Sequence, residues 1–323
     1  MAKSHQLRKI FIVVFLIGWL FIAYFGWKQT TDTSSKLTTI TIGYQAGDEF
    51  DIAKTRGEFA KKMKKAGYKV KFKEFQNGSA EMQALATGAI DYARTGDTPP
   101  VTALASGTNL TYVGAGGSKE QGTGILVKTS SGINSLSDLA GKKIAYTQGT
   151  SSQYLLLKAL QKAGLSTSDV ELVSLDQSAA AVAYEKGKVD AWANWDPQTS
   201  RLELNGSKLL VNGSDISDNN RSYLVASTSF AKSNKKVSKL IIKYLNQDMQ
   251  WVNKNQTKAI KMMAKSLKLS TSVVSKMVKR RTYSFGYMTK TAVQESQDIA
   301  NLFYEQGVIK KKVNVKSHVQ YLK

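Results

Sequence analysis

The sequence predicts an α/β protein with two lobes and a ligand cleft between them. Predicted strands alternate with predicted helices from residue 37 to about residue 212, which is typical of a parallel sheet covered by helices. This order starts again near Ser135, so the pattern occurs twice along the chain. The length of 323 residues exceeds what one compact core needs, which also favours two lobes.

The first unit begins with an alternating, β-branched segment at 37–44, which predicts a strand. An apolar stripe at helical spacing over 51–66 predicts a helix that ends at Gly67. By the same criteria, the later elements of this unit are a strand at 69–75, a helix at 79–87, a strand at 89–94, a helix starting near Thr98, and strands at 110–114 and 125–128.

The second unit contains the same kinds of element and leads into a helical last third. Its predicted elements are a helical turn at 135–140, a strand at 143–147, a helix at 151–163, a strand at 170–175, a helix at 178–186, and strands at 189–195, 209–212 and 223–227. From about residue 231 the chain is rich in lysine, and its periodicity predicts helices at 233–253, 256–266, 270–279 and 289–305.

The N-terminus predicts a membrane anchor. A basic flank at 1–9 precedes an uncharged run of 18 residues at 10–27. A bilayer span needs about 20 apolar residues, whereas a signal-peptide core has about 7–15. The flank predicts a cytoplasmic N-terminus and an extracytoplasmic chain beyond a polar linker at 28–36. The alternative is a cleaved signal peptide, which would leave a secreted or periplasmic protein.

Composition limits the chemistry. The chain has no cysteine and only two histidines, His5 and His318, so thiolate and histidine-based sites have almost nothing to build from. We therefore expect no metal, no cofactor and no catalytic residue. The net charge of +22 comes from lysine far more than arginine and is spread along the chain. This pattern favours a surface that faces cell wall or lipid headgroups over one that binds nucleic acid.

A strand-to-helix turn at 148–153 offers an oxyanion site. Open α/β sheets bind ligands beyond the carboxyl ends of their strands, where such turns lie. Gly149 permits close backbone approach, and Thr150, Ser151 and Ser152 place hydroxyls at the start of a helix. An ordinary Ser/Thr helix cap explains these residues equally well.

A second turn of this kind is TGDTPP at 95–100. Thr95, Gly96 and Thr98 are candidate donors to a ligand. Asp97 belongs to the same turn, although a carboxylate at this position more often caps the helix than contacts an anion.

Two further strand ends are expected to complete the site. Gln45 follows the first strand, and Trp195 with Asp196 ends a later one, with Trp195 the candidate for a cleft wall. Gln45 and Tyr44, at the end of the first strand, complete an expected ring of neutral polar groups. Several neutral donors together would select a monoanion without a lysine clamp.

Four segments carry a family resemblance: TGDTPP with VTALASGTNLTYVG, LSDLAGKKIAYTQGTSSQYLLLKALQKAGL, GKVDAWANWDP and DIANLFYEQGVIKKKV. They resemble the aliphatic sulfonate-binding proteins of ABC importers, which belong with taurine- and nitrate-binding proteins. The resemblance covers about 38–316. It implies a type II periplasmic-binding-protein fold, with lobe 1 at 37–124 and 228–323 and lobe 2 at 125–227. It places the anion pocket at 95–98 and 150–152, lined by Gln45, Trp195 and Asp196.

The resemblance implies an extracytoplasmic substrate-binding subunit. It would capture a small sulfonate and deliver it to an ABC permease and its ATPase subunits, as a monomer. The N-terminal anchor is not implied by the resemblance, since such proteins usually carry a cleaved signal peptide or a lipid-modified cysteine; it is inferred from the apolar run at 10–27. RRTYSFGYMT at 280–289 departs from the sulfonate-binding pattern toward the taurine type, so a taurine- or nitrate-type ligand stays open. An exported enzyme on the same fold is disfavoured by the missing cysteine, and we expect no nucleic-acid partner.

Overall fold

The computed structural model describes residues 37–322, together with Phe15 and residues 17–20. The predicted flank at 1–9, the linker at 28–36 and most of the predicted anchor at 10–27 lie outside the described residues. Phe15 and residues 17–20 are helical. Among the described residues, no helix has the length and apolar character that a membrane crossing requires.

Two sheets organise the described chain. The first has strand order β11-β4-β10-β3-β1-β2 and the second β7-β6-β8-β5-β9. The strands are β1 (Thr38–Tyr44), β2 (Tyr68–Glu74), β3 (Tyr92–Thr95), β4 (Leu110–Gly116), β5 (Thr123–Lys128), β6 (Lys143–Tyr146), β7 (Glu171–Ser174), β8 (Ala191–Trp195), β9 (Ser207–Asn212), β10 (Tyr223–Ser227) and β11 (Phe285–Tyr287). The α/β, two-sheet class predicted from alternating strands and helices is confirmed.

Each sheet is mixed, whereas the alternation of elements predicted parallel sheets. β1 pairs in parallel with β2 and β3, but β10 lies antiparallel between β3 and β4. In the second sheet β5 is antiparallel to both β8 and β9. The physical reason is the path of the chain: β5 and β10 follow the two passages from one sheet to the other and enter their new sheet from the opposite end.

Helices cover both faces of each sheet. They are α1 (Glu49–Arg56), α2 (Glu58–Lys65), α3 (Gly78–Ala86), α4 (Thr98–Ala105), α5 (Ser151–Lys162), α6 (Gln177–Glu185), α7 (Gln198–Leu204), α8 (Thr228–Ser233), α9 (Lys235–Lys254), α10 (Gln256–Leu267), α11 (Thr271–Lys279) and α12 (Lys290–Glu305). Strand alternation divides the cores: Ile125 and Val127 belong to one cluster, and Leu126 between them belongs to the cluster on the other face.

One predicted helix is broken. The stripe at 51–66 forms α1 and α2, which are separated by Gly57 at φ 76°. The Gly57 N–H closes α1 on the carbonyls of Ala53 and Lys54, and this left-handed cap turns the chain. The periodicity could not show the break because both helices keep their apolar face on the same core. The elements α7, α8 and β11 were not predicted.

The chain passes between the sheets twice, from β4 to β5 and from β9 to β10. β10 lies in the first sheet, so the chain returns to that sheet ahead of the predicted lobe boundary at 227/228. We use lobe 1 for residues 37–122 and 223–322 and lobe 2 for residues 123–222.

Candidate functional site

A cavity of about 120 Å³ lies between the two lobes, beyond the carboxyl ends of β1, β3 and β8. One water needs about 10–15 Å³, so the cavity has room for a small molecule. Its walls combine residues of both lobes: Gln45, Ala46, Gly47, Asp48, Asn77, Gly78, Arg94, Gly96, Thr98, Pro99, Lys119, Gly122, Thr150, Ser151, Trp195, Asp196, Pro197, Asn220, Met277 and Arg281.

Two helices from opposite lobes begin at this cavity without a side-chain cap. Within residues 37–322, no side chain accepts a capping hydrogen bond at the start of α4 in lobe 1 or of α5 in lobe 2. The Thr98 hydroxyl donates to the Gly149 carbonyl at 3.0 Å and joins the two helix starts across the cleft. The positive ends of both helix dipoles therefore face the same space, and the free N–H groups come from α5, because Pro99 and Pro100 in the first turn of α4 carry none. This arrangement favours an anion.

Three cationic side chains also line the cavity: Arg94, Lys119 and Arg281. The Arg94 Nε contacts the Glu49 carboxylate, and the Arg281 Nη1 lies 3.9 Å from Glu49 Oε1. Arg94 Nη1 also lies 3.7 Å from Asp48 Oδ2. Arg94 and Arg281 thus meet the carboxylates of Glu49 and Asp48, while Lys119, which forms no ion pair within residues 37–322, adds positive potential for a bound anion.

The cations shift the pKa values of buried groups at the cavity. Burial alone would raise the pKa of Glu49, but Arg94, Arg281 and Lys119 outweigh it and lower that pKa to about 2. Burial and the nearby charges of Arg94 and Arg281 lower the pKa of Lys119 to about 7, against the opposing effect of Glu49. Lys119 is therefore a cavity cation whose charge changes close to neutral pH.

Part of the wall is apolar. Pro99, Trp195, Pro197 and Met277 line the cavity alongside the charged groups. A ligand with an anionic head and a short carbon tail fits this division, since the tail gains from leaving water and the head keeps its donors.

Seven of the predicted site residues line the cavity: Gln45, Gly96, Thr98, Thr150, Ser151, Trp195 and Asp196. Ser151 is the clearest donor, because its hydroxyl forms no hydrogen bond within the described part of the chain while α5 begins at this residue. The Gln45 Nε2 donates to Glu81 Oε2 at 2.7 Å, and this bond directs the amide into the cavity wall.

Asp196 lines the cavity with its carboxylate already engaged. Its Oδ1 accepts from the Ser200 N–H at 2.9 Å and from the Ser200 hydroxyl at 2.7 Å. Its Oδ2 lies 3.7 Å from the Nε of Arg280. These partners reduce the repulsion that a free carboxylate would exert on an anion.

Four predicted residues do not line the cavity: Thr95, Asp97, Gly149 and Ser152. The Ser152 hydroxyl accepts from the Thr147 N–H at 3.0 Å and therefore builds the turn. The Gly149 N–H donates to Gln153 Oε1 at 2.7 Å.

The capping role expected of Asp97 is wrong: within residues 37–322 its carboxylate accepts no capping hydrogen bond from α4, because Pro99 and Pro100 stand where the donating N–H groups would be. Its carboxylate lies instead with Asp218 at a second, smaller cavity of about 30 Å³. Thr95 is fully buried beside Gly78, where an added Cβ would lie 2.4 Å from the threonine hydroxyl.

The expected ring of neutral groups is also wrong, because Arg94, Lys119 and Arg281 share the cavity. Their segments are far apart in the sequence, and no local pattern linked them. The one available signal was Arg94, a cation inside the otherwise uncharged strand segment YART next to the TGDTPP turn. A charged residue in a buried strand requires a partner or a ligand.

A group of ion pairs bridges the lobes beside the cavity. Glu203 of lobe 2 accepts from Lys276 at 3.2 Å and from Arg280 at 2.5 Å, both from lobe 1. The Arg280 Nε also lies 3.7 Å from Asp196 Oδ2 of lobe 2, while its Nη1 donates to the Gln121 carbonyl of its own lobe at 2.8 Å. These contacts hold the cleft closed on the side of α7 and α11.

Comparisons with known proteins point to one family. The family profile described as NMT1/THI5 like matches residues 52–259. A protein of Escherichia coli named as an aliphatic sulfonates-binding protein is 32% identical over 283 residues, which is 87% of this chain and 88% of that protein. One of the same name from Bacillus subtilis is 30% identical over 315 residues, or 97% and 95% of the two chains.

A solved structure shows the same likeness in three dimensions. The alkanesulfonate-binding protein of Xanthomonas axonopodis pv. citri, bound to MOPS, superimposes with a TM-score of 0.82 at 31% identity. The match covers 89% of this chain and 99% of that one.

Proposed function

Because the chain belongs to the NMT1/THI5-like family and to its aliphatic sulfonate-binding members, we propose that it is the substrate-binding subunit of an ABC importer and captures aliphatic sulfonates. The resemblance seen in the TGDTPP and GKVDAWANWDP segments is confirmed. So is the two-sheet α/β periplasmic-binding-protein fold. The relatives are named as binding proteins, and we assign no reaction to the chain.

The uncapped starts of α4 and α5 beside three cations support sulfonate capture most directly. A sulfonate carries one negative charge and no proton at neutral pH, so it needs donors alone. The Ser151 hydroxyl, the helix N–H groups and Lys119 supply donors from both lobes. A ligand held by both lobes stabilises the closed cleft, because neither lobe alone offers the full set.

The carbon tail is proposed to lie on Trp195 and Met277. A taurine-like ligand would instead present an ammonium, which needs a carboxylate with a free oxygen. Asp48 is engaged, since its Oδ1 accepts from the N–H groups of Phe50 and Asp51. The engaged carboxylates favour an uncharged tail over taurine.

A second part of the proposal concerns where the protein is located. The uncharged run at 10–27 would hold the chain at the extracytoplasmic face of the membrane, where it would deliver ligand to a permease and its ATPase subunits. Determining the N-terminal sequence of the mature protein tests this location. A membrane-extracted chain that starts near Met1 supports the anchor, and a chain that starts beyond residue 27 refutes it.

Isothermal titration of the purified chain tests ligand capture. The ligands are ethanesulfonate, butanesulfonate, octanesulfonate, taurine, nitrate, sulfate and phosphate. We expect the alkanesulfonates to bind more tightly than the other ligands. Ser151→Ala should weaken them, whereas Ser168→Ala, at an exposed serine of lobe 2, should not. Heat with nitrate or phosphate but with no sulfonate would contradict the proposal.

A further inference from the structure

Net positive charge is confined to lobe 1. Residues 37–122 and 223–322 carry 30 lysines and arginines against 13 acidic residues, a net charge of +17. Residues 123–222 carry ten of each and are neutral. Ligand binding needs only the few cations of the cavity, so it does not account for this excess on lobe 1.

The excess is densest on α9 and the helices next to it. Residues 228–268 contain ten lysines and a single acidic residue, Asp248, which is buried. All ten lysines are exposed. None of these ten lysines forms an ion pair with a carboxylate within residues 37–322. The one acidic residue of the segment, Asp248, pairs with Arg56 instead. Unpaired lysines at this density repel one another, which makes binding of a polyanion favourable.

The lysines at the start of α9 share one side of the helix. Lys235, Lys236, Lys239 and Lys243 fall within about 100° of the helix circumference, at 3.6 residues per turn. They surround a shallow surface depression with Tyr287, which is 41% exposed. Tyrosine among lysines is typical of surfaces that sit at lipid headgroups.

Helix α2 extends this charged side. Lys62 Nζ donates to Gln247 Oε1 at 2.7 Å, and the Arg56 guanidinium lies 4.1 Å from the Trp251 ring centre. The two segments therefore run antiparallel, so the end of α2, with its exposed lysines, lies toward the start of α9. We define the lysine face by the exposed lysines of both helices: Lys61, Lys64, Lys65, Lys235, Lys236, Lys239 and Lys243.

The lysine face lies where the chain enters lobe 1. The Thr38 N–H donates to the Gly67 carbonyl at 3.1 Å, two residues after Lys65. Thr38 begins β1, and the cavity residue Gln45 follows its other end, about 20 Å away at 3.3 Å per residue. A surface bound at the Thr38 end leaves the mouth of the cleft open to solvent.

The position of the apolar run at 10–27 indicates that the partner of the lysine face is a lipid bilayer. Residues 28–37 separate this run from β1 and reach at most about 35 Å when extended. A chain anchored at 10–27 would thus hold the lysine face close to a bilayer. Lysine binds phosphate as a point charge and needs no fixed geometry, which suits a fluid headgroup layer.

We propose that lobe 1 docks through the lysine face on an anionic phospholipid surface, with the cleft directed away from it. The interaction is electrostatic and therefore reversible and sensitive to salt. It is independent of sulfonate capture, because the lysine face contains no residue of the cavity.

The test uses the full chain reconstituted into vesicles of phosphatidylcholine, alone or mixed with phosphatidylglycerol. Since the sequence has no cysteine, Ser233→Cys next to the lysine face and Thr167→Cys on lobe 2 each offer one site for a fluorescent label. Energy transfer to labelled headgroups reports distance. We expect transfer from position 233 to rise at least twofold on the anionic vesicles and to return to its neutral value in about 0.5 M NaCl. Transfer from position 167 should not change.

Matched variants test whether the rise in energy transfer depends on the lysine face. Replacing Lys64, Lys239 and Lys243 by Gln should abolish the rise, and replacing Lys142, Lys186 and Lys188 of lobe 2 by Gln should leave it intact. Titration with butanesulfonate verifies that each variant still folds and binds. Equal transfer on neutral and anionic vesicles would overturn the proposal. So would an equal rise at both labels, or an equal loss in both triple variants.

Discussion

Raising the pH should weaken sulfonate binding through Lys119. This side chain lines the cavity, and its pKa is lowered to about 7 by burial and by Arg94, with a further contribution from Arg281. A bound sulfonate nearby favours the charged form, so binding above pH 7 takes up a proton. Affinity is therefore constant below the pKa of the free protein and falls above it, by at most about tenfold per pH unit for one proton.

The size of the effect follows from the bond that is lost. A hydrogen bond to a charged group contributes about 1.5–3 kcal/mol, so loss of the Lys119 charge lowers affinity in total by about ten- to 150-fold. Other groups near Lys119 act in the same direction. The pKa of Asp218 is raised to about 8 by burial and by Asp97, and burial raises the pKa of Asp97 to about 6. Both gain negative charge as the pH rises.

Lys119→Met separates these contributions. The variant keeps the apolar stem and removes the charge, so its affinity at pH 6 should fall into the range of the wild type at pH 9, with a flatter pH profile. Titration calorimetry with butanesulfonate should use bis-Tris, imidazole and Tris, because sulfonate buffers would compete. Their different ionisation enthalpies report the proton taken up. A wild-type affinity that is constant from about pH 6 to pH 9, or the same slope in the variant, would refute the reasoning.

Three further outcomes follow from the contacts. Ser151→Ala should lower sulfonate affinity about tenfold in calorimetry, whereas Ser152→Ala, which breaks the turn, should mainly lower the melting temperature; equal effects on affinity would contradict the assignment. Glu203→Gln removes the two interlobe ion pairs of Glu203, with Lys276 and Arg280, and should speed ligand release at least about fivefold in stopped-flow experiments; Glu171→Gln, at an exposed pair within lobe 2, is the control that should match wild type. Gly57→Ala should destabilise the fold by about 1 kcal/mol in urea unfolding. The cause is backbone strain alone, because the φ of Gly57 is 76° and no atom lies within 4 Å of an added Cβ. Unchanged stability would contradict this.

The candidate site could be predicted in outline from its turns. The segments at 95–98 and 148–153 lie at the cavity because open sheets present their strand-to-helix turns at one edge. Which side chain faces the cavity could not be predicted. Ser151 and Ser152 are adjacent serines, yet one hydroxyl faces the ligand space and the other bonds to Thr147. That difference depends on the rotation of α5 against the second sheet.

The sequence by itself determined the order of strands and helices, because periodicity and turn residues act on near neighbours. It also determined the family, through segments that lie within each lobe. Only the tertiary structure decided the charge of the cavity, where Arg94 is the last residue but one of β3, Lys119 lies in a passage between the lobes and Arg281 follows α11. Their meeting around Glu49 depends on how the chain returns to lobe 1. Local patterns do not record such long-range packing: Arg94 stands out as a cation in an otherwise uncharged strand, but nothing near Lys119 or Arg281 in the sequence distinguishes them from surface cations.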